Sequence, residues 1–146
     1  MNGSGEHIIA PAVGIVIPVY NRLTYLGATL ESVLAQTFEA WQLVVVDDGS
    51  QEDVAGFLRG YSDSRITFLR QDNRGNGAAR NAGIAATTGP YVICLDSDDV
   101  WEPRMLETCV AALEADPAVD VVYTQHQAID AQGRALAREP GPPPLE

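Results

Sequence analysis

Leu43-Val44-Val45-Val46-Asp47-Asp48-Gly49-Ser50 is an apolar, mostly β-branched run that ends abruptly in two acids and a turn pair. The apolar residues are continuous rather than alternating, which is the pattern of a strand covered on both faces. Working outward, similar runs lie at Val13–Val19, Ile66–Leu69, Tyr91–Leu95 and Val119–Tyr123. Between the first two, Leu23, Leu26, Leu30, Val33 and Leu34 recur at helical spacing. Asp53–Tyr61 puts Val54, Phe57 and Leu58 on one face, and Gly77–Ala86 is an alanine-rich helix stopped by Thr87-Thr88-Gly89-Pro90. Pro103 suits the first turn of a further helix carrying Met105, Leu106, Val110 and Leu113. A hairpin is expected through Ile129–Arg134. Strand and helix therefore alternate, which predicts an α/β three-layer sandwich around a mostly parallel sheet. Such sheets bind ligands beyond the carboxyl ends of their strands.

The 146 residues suit one domain, expected over 12–138, with a flexible tail at 1–11 and a Pro-rich tail at 139–146. The hydrophobic share of 46% is that of a packed globule, so the net charge of −11 does not signal disorder. A chain this acidic repels phosphate backbones and anionic lipid, which argues against nucleic acid and membrane-surface roles. Every basic residue outside the two histidines is Arg, and Lys is absent. Walker-type phosphate binding, Schiff-base chemistry and lysine-dependent phosphoryl transfer are thereby excluded. The N-terminal stretch lacks a basic region followed by an apolar one, and no apolar run approaches the length of a membrane span. With Cys94 and Cys109 read as two buried, reduced thiols, a cytoplasmic location is expected.

The chemistry-bearing residues follow the apolar runs. Asp96, Asp98 and Asp99 crowd one strand end, a costly arrangement unless a positive charge lies between them. Asp-x-Asp on an extended chain sends two carboxylates to one side, and hard oxygen ligands suit Mg²⁺ or Mn²⁺. An isolated Asp-x-Asp is more often a solvated loop or a helix cap. Here Asp47-Asp48 arrives at the same sheet edge, which favours a ligand site. Gly49 and Ser50 are expected to serve the turn, leaving one of these acids to accept hydrogen bonds from a ligand. Tyr20, just past the first strand, is placed to stack on a base. Gly75–Gly83 opens a helix with a Gly-x-Gly start, and Arg80 sits one turn inside, able to reach an anionic ligand. The third glycine of a dinucleotide fingerprint is not in place. Ala78, Ala79 and Ala82 are small enough to let this helix lie close on the sheet.

Taken in order, Ile-Pro-Val-Tyr-Asn (17–21), Val-Val-Val-Asp-Asp-Gly-Ser (44–50), Gly-x-Gly-x-Ala-Arg-Asn-x-Gly (75–83) and Leu-Asp-Ser-Asp-Asp (95–99) resemble the family-2 inverting glycosyltransferases of the GT-A (nucleotide-diphospho-sugar transferase) fold. The resemblance covers about residues 12–135. It implies metal-dependent transfer, with inversion, of a sugar from a nucleotide-diphospho-sugar, by default a UDP-sugar, to a sugar, lipid or polysaccharide acceptor. It also implies site roles: Tyr20 stacks on the base, Asp48 hydrogen-bonds it, and Pro18 and Asn21 shape the pocket. Arg80 approaches the base or phosphates, Asp96 contacts the ribose beside the metal, and Asp98 ligates the Mn²⁺ or Mg²⁺ that bridges the diphosphate. The Trp101-Glu102-Pro103 segment resembles the usual continuation of the metal motif.

Family members carry the acceptor face and the general base in a further segment. Glu102, Asp120 and Asp130 are the nearest remaining acids here, and none stands in the base position. The chain thus reads as the apparently truncated donor half, with its catalytic base unassigned. Two other readings compete. A module that binds nucleotide-sugar without turnover would need nothing beyond these motifs. An aspartate-nucleophile phosphatase, with Asp96 as nucleophile and Asp98 as acid/base, would need a downstream lysine that the chain lacks.

Overall fold

The computed structural model describes residues 10–137. Most of the expected N-terminal tail and all of the Pro-rich tail lie outside them. The elements run β1 (Val13–Val19), α1 (Leu23–Leu34), β2 (Trp41–Asp47), α2 (Val54–Leu58), β3 (Ile66–Arg70), α3 (Asn76–Ala85), β4 (Tyr91–Cys94) and α4 (Met105–Ala115). By internal contacts the chain divides into two compact units, one up to Glu107 and one from Thr108 onward.

The first unit holds the sheet. All strand pairs are parallel, in the order β3-β2-β1-β4, with Val13 opposite Trp41 and Tyr91, and Asp47 opposite Arg70. Right-handed crossovers place α1 and α2 on one face. The chain reverses direction across the sheet between β3 and β4, so α3 crosses on the other. Val16, Val44 and Val46 form a buried cluster with Ala79, against which Leu69, Ala82 and Cys94 pack. Ile15, Ile17, Leu43 and Val45 alternate with them along the strands and are fully buried too. Both faces of the central strands β1 and β2 are therefore covered, as their continuous apolar runs require, while the edge strands β3 and β4 are partly open.

Gly83 explains how α3 comes so close. A Cβ there would lie 2.2 Å from Val16 Cγ1, so this position does the work of the third fingerprint glycine, two turns inside the helix. On α1, the stripe buries Leu26, Leu30 and Val33. The helix has no side-chain cap of its own; Glu52 from the loop after β2 accepts from the Leu23 N–H instead. Trp41 is buried at the start of β2, with the Arg65 guanidinium 3.6 Å over its ring. Cys94 and Cys109 are not joined in a disulfide and are only partly buried rather than fully so, and burial pushes both pKa values up.

One expected strand is absent. Val119–Tyr123 forms no strand among the described residues; Val121 is 77% exposed and Tyr123 91%. A β-branched run becomes a strand only where a neighbouring edge accepts its hydrogen bonds and a packed surface covers its side chains, and Val121 and Tyr123 lack that cover. The sheet thus has four strands, not five. The expected hairpin is present in the second unit as a tight turn: Ile129 bridges Ala135, and Gly133 adopts a positive φ of 75°. The Asp130 carboxylate accepts from the backbone N–H groups of Gln132 and Arg134.

Candidate nucleotide-sugar site

A cavity of about 500 Å³ opens at the carboxyl ends of the strands. It lies at the topological switch point: the chain leaves β1 toward β2, later returns to β4 on its other side, and the two connections part. Pro18, Val19, Tyr20 and Arg22 line it from the β1 end and Asp48 from the β2 end. Asn73, Gly75, Asn76 and Ala79 come from the β3–α3 loop and the first turn of α3, and Asp96, Ser97 and Asp98 from the β4 end.

The two adjacent acids of the β2 turn divide their labour. Asp47 is buried and accepts from the Ser50 N–H at 2.8 Å, closing the turn, while Arg70 pairs with its other oxygen. Gly49 carries the turn at φ 80°, where an added Cβ would also meet the Asn73 backbone nitrogen at 2.8 Å. Asp48, also buried, turns the other way. Its Oδ1 accepts from Gln71 Nε2 (2.7 Å) and the Arg74 N–H (3.0 Å), and its Oδ2 from the Gly75 N–H (2.8 Å). Burial raises its pKa, but the hydrogen bonds from Arg74, Gln71 and Gly75 and the Arg74 charge outweigh that, and the net shift is downward. Asp48 thus braces the loop that leads into α3 and presents one edge to the cavity. Gly75 itself sits at φ 88° with open space around a would-be Cβ, so conformation rather than crowding demands glycine there.

Asn21 stands behind the cavity wall. It adopts the left-handed conformation (φ 52°), which asparagine tolerates better than most side chains. Its N–H donates to Ser50 Oγ at 3.0 Å, and its Oδ1 accepts from the Gln51 N–H at 2.8 Å. The loops after β1 and β2 are locked together by these bonds, leaving Tyr20 at the rim with 49% of its surface exposed. Pro18 lines the wall as expected.

At the β4 end the acids are more open. Asp96 pairs with Arg80 (2.5 Å) and Asp98 with Arg22 (2.6 Å). Arg80 does not itself line the cavity; it holds Asp96 from behind, and its Nε is buried without a partner. Among the described residues no group of three or more His, Cys, Asp and Glu gathers as a metal site. The residues present do fit a cation that completes its shell from a ligand: Asp96 and Asp98 offer two hard carboxylates on the cavity, both currently balanced by arginine. Glu102 does not line the cavity.

The structure brings Pro18, Tyr20, Asp48, Asp96 and Asp98 to one cavity, whereas Asn21 and Arg80, expected to shape the pocket and to approach the ligand, do not line it. The sequence missed Arg22 and Asn73 as cavity residues. Arg22 carried a signal, as the one cation beside the Pro-Val-Tyr-Asn segment. Asn73 carried none, because it enters through a loop of irregular backbone.

Comparison with known proteins agrees with this geometry. The profile described as Glycosyl transferase family 2 matches residues 14–140. An uncharacterized glycosyltransferase of Rickettsia bellii is 36% identical over 92% of this chain, which spans 20% of that relative's length. Among solved structures, S. aureus TarS 1-349 in complex with UDP-GlcNAc superposes with a TM-score of 0.67 at 25% identity, over 70% of this chain and 31% of that one. The mannosyltransferase PcManGT of Pyrobaculum calidifontis, in complex with GDP-Man and Mn²⁺, gives 0.69 at 28% identity, over 75% and 34%. The fold is the GT-A α/β arrangement of these transferases. This chain belongs to glycosyl transferase family 2.

Proposed function

We propose that the cavity binds a nucleotide-diphospho-sugar, a UDP-sugar first, and that the chain supplies the donor-binding part of a metal-dependent, inverting sugar transfer. The observation that carries this is the convergence of Tyr20, Asp48, Asp96 and Asp98 from three strand ends on one cavity at the switch point. Tyr20 offers a half-exposed ring for a base, and Asp48 an acceptor edge for a base N–H. The N-terminal turn of α3 brings its partial positive charge to the same space, suited to phosphate. The complexes of TarS with UDP-GlcNAc and of PcManGT with GDP-Man and Mn²⁺ support the reading.

Asp98, with Asp96 beside it, would hold a Mn²⁺ or Mg²⁺, which when bound neutralises charge developing on the departing diphosphate. The chain's own residues do the rest of the binding: Tyr20 orients the base, Asn21 keeps that rim in place, and Arg80 fixes Asp96 for the ribose. A transfer with inversion also requires a base for the acceptor hydroxyl, and Glu102, the candidate acid in the same unit, does not line the cavity. That observation favours, as a second reading, binding by this chain without turnover.

Titration calorimetry with UDP-GlcNAc and GDP-mannose, with and without Mn²⁺, tests the proposal, and measuring free UDP separates transfer from binding alone. Saturable, metal-strengthened binding is expected. Tyr20→Ala should weaken it by the equivalent of ~1–3 kcal/mol of lost stacking while leaving Mn²⁺ binding in place. Failure of the wild-type chain to bind either nucleotide-sugar under any metal condition would overturn the reading.

A further inference from the structure

Arg22 is the charged residue of the cavity lining that the donor-site roles above leave without a task. Its backbone is fixed as the N-cap of α1, with its carbonyl accepting from the N–H groups of Tyr25 and Leu26. Its side chain is 53% exposed and reaches across from the β1 end to the β4 end, where Nη1 donates to Asp98 Oδ2 at 2.6 Å. Asp98 is itself 42% exposed. An ion pair this open to water is easily exchanged. A guanidinium and a divalent cation cannot both sit close on one carboxylate oxygen without strong mutual repulsion.

We propose that Arg22 and a divalent cation are alternative partners of Asp98, and that Arg22, once displaced, turns to the diphosphate of the donor. This inference rests on the donor-binding reading of the cavity and assigns Arg22 as a positioning residue for it. With its Cα held by the α1 cap, only the side chain needs to rotate. The same planar fork that meets a carboxylate also meets a phosphate, so the arginine leaves one anion for another on the same cavity wall. The exchange couples loading to order: cation alone must compete with Arg22, whereas cation and diphosphate together give every charge a partner. Arg22 therefore opposes binding of the metal alone and favours binding of the metal with nucleotide.

Calorimetry on the full chain decides it, using Mn²⁺ alone and then UDP in saturating Mn²⁺. Arg22→Gln should bind Mn²⁺ alone about two- to fivefold more tightly, the range set by an exposed ion pair. The same variant should bind UDP in Mn²⁺ at least about threefold more weakly, for loss of a charge-assisted contact. Arg22→Lys should lie between Gln and wild type in both measurements. In an Asp98→Asn background, Arg22→Gln should leave Mn²⁺ binding unmoved, because the shared partner is gone. A substitution that merely loosened the fold would weaken both ligands; opposite signs exclude that. Unchanged or weaker Mn²⁺ binding by Arg22→Gln, or unchanged UDP binding, overturns the role of Arg22 while a wild-type chain that binds UDP keeps the donor reading. A wild-type chain that takes Mn²⁺ but no UDP overturns the donor reading and the second half of this proposal with it.

Discussion

The turns after β2 and β4 each bring acids to the same cavity, yet they are built in opposite ways. After β2, Asp47 and Asp48 are both buried, and their oxygens are taken up by backbone N–H groups, Gln71 and Arg70. After β4, Asp96 and Asp98 are about half exposed, and each pairs with an arginine side chain, Arg80 and Arg22 respectively. The first pair is architecture: its charges hold loops whose backbone could not otherwise be satisfied. The second pair is exchangeable, since arginine side chains can move when a ligand offers a better arrangement. Identical residue types at equivalent places in the fold thus differ in how firmly they are held, and the difference lies in burial and in the backbone N–H groups that fix the first pair in addition to side chains.

Substitution should separate the two turns. Asp48→Ala strips three donors of their acceptor in a buried setting and should cost about 3 kcal/mol of stability by urea unfolding, with donor binding lost as the β3–α3 loop loosens. A cost below about 1 kcal/mol would mean that Asp48 belongs with the exchangeable pair. Gly83→Ala probes the layer beneath the same loop. The new methyl would press on Val16 and should cost about 2 kcal/mol, read as a fall in Tm.

Acid distinguishes the turns next. Because the folded pKa of Asp48 is lowered, its stabilising contribution is fully present above the unfolded value near ~3.9 and is lost as pH falls through the folded one. Wild type should lose more stability than Asp48→Asn as the pH is taken below about 4, a difference measurable by urea midpoints across that range. The smallest stability effect is expected at the exposed turn. Asp98→Asn should change stability by no more than about 1 kcal/mol while abolishing the metal dependence of donor binding. Were it to unfold the protein, the β4 turn would be structural after all.

How far the sequence could be read follows the same division. Strands β1 and β2 were legible because burial on both faces leaves continuous Val and Ile runs, β3 and β4 as shorter apolar runs at the sheet edges, and α1 because its stripe repeats at helical spacing. Val119–Tyr123 has the same composition and forms no strand, since composition records what a segment can pack against and not whether a partner edge is there. The cavity acids were legible as strand-end residues. Their contrasting environments were not, because the donors that engage Asp48 come from Gln71, Arg74 and Gly75, more than twenty residues along the chain, through hydrogen bonds with no periodic signature. Arg22 was hidden for a similar reason: its partner Asp98 lies 76 residues away. The close approach of α3 was only partly visible, in the small Ala79 and Ala82, whereas the decisive Gly83 sits at the end of the motif and outside the usual fingerprint spacing.

The central claim is that these turns enclose a site for a nucleotide-diphospho-sugar. A crystal structure of the chain soaked with UDP and Mn²⁺ tests it most directly. The account predicts the base against Tyr20 and Asp48, the cation on Asp98, and Arg22 released from Asp98 onto the diphosphate. UDP bound elsewhere on the molecule, or a cavity that stays without nucleotide density at saturating UDP and Mn²⁺, would contradict it.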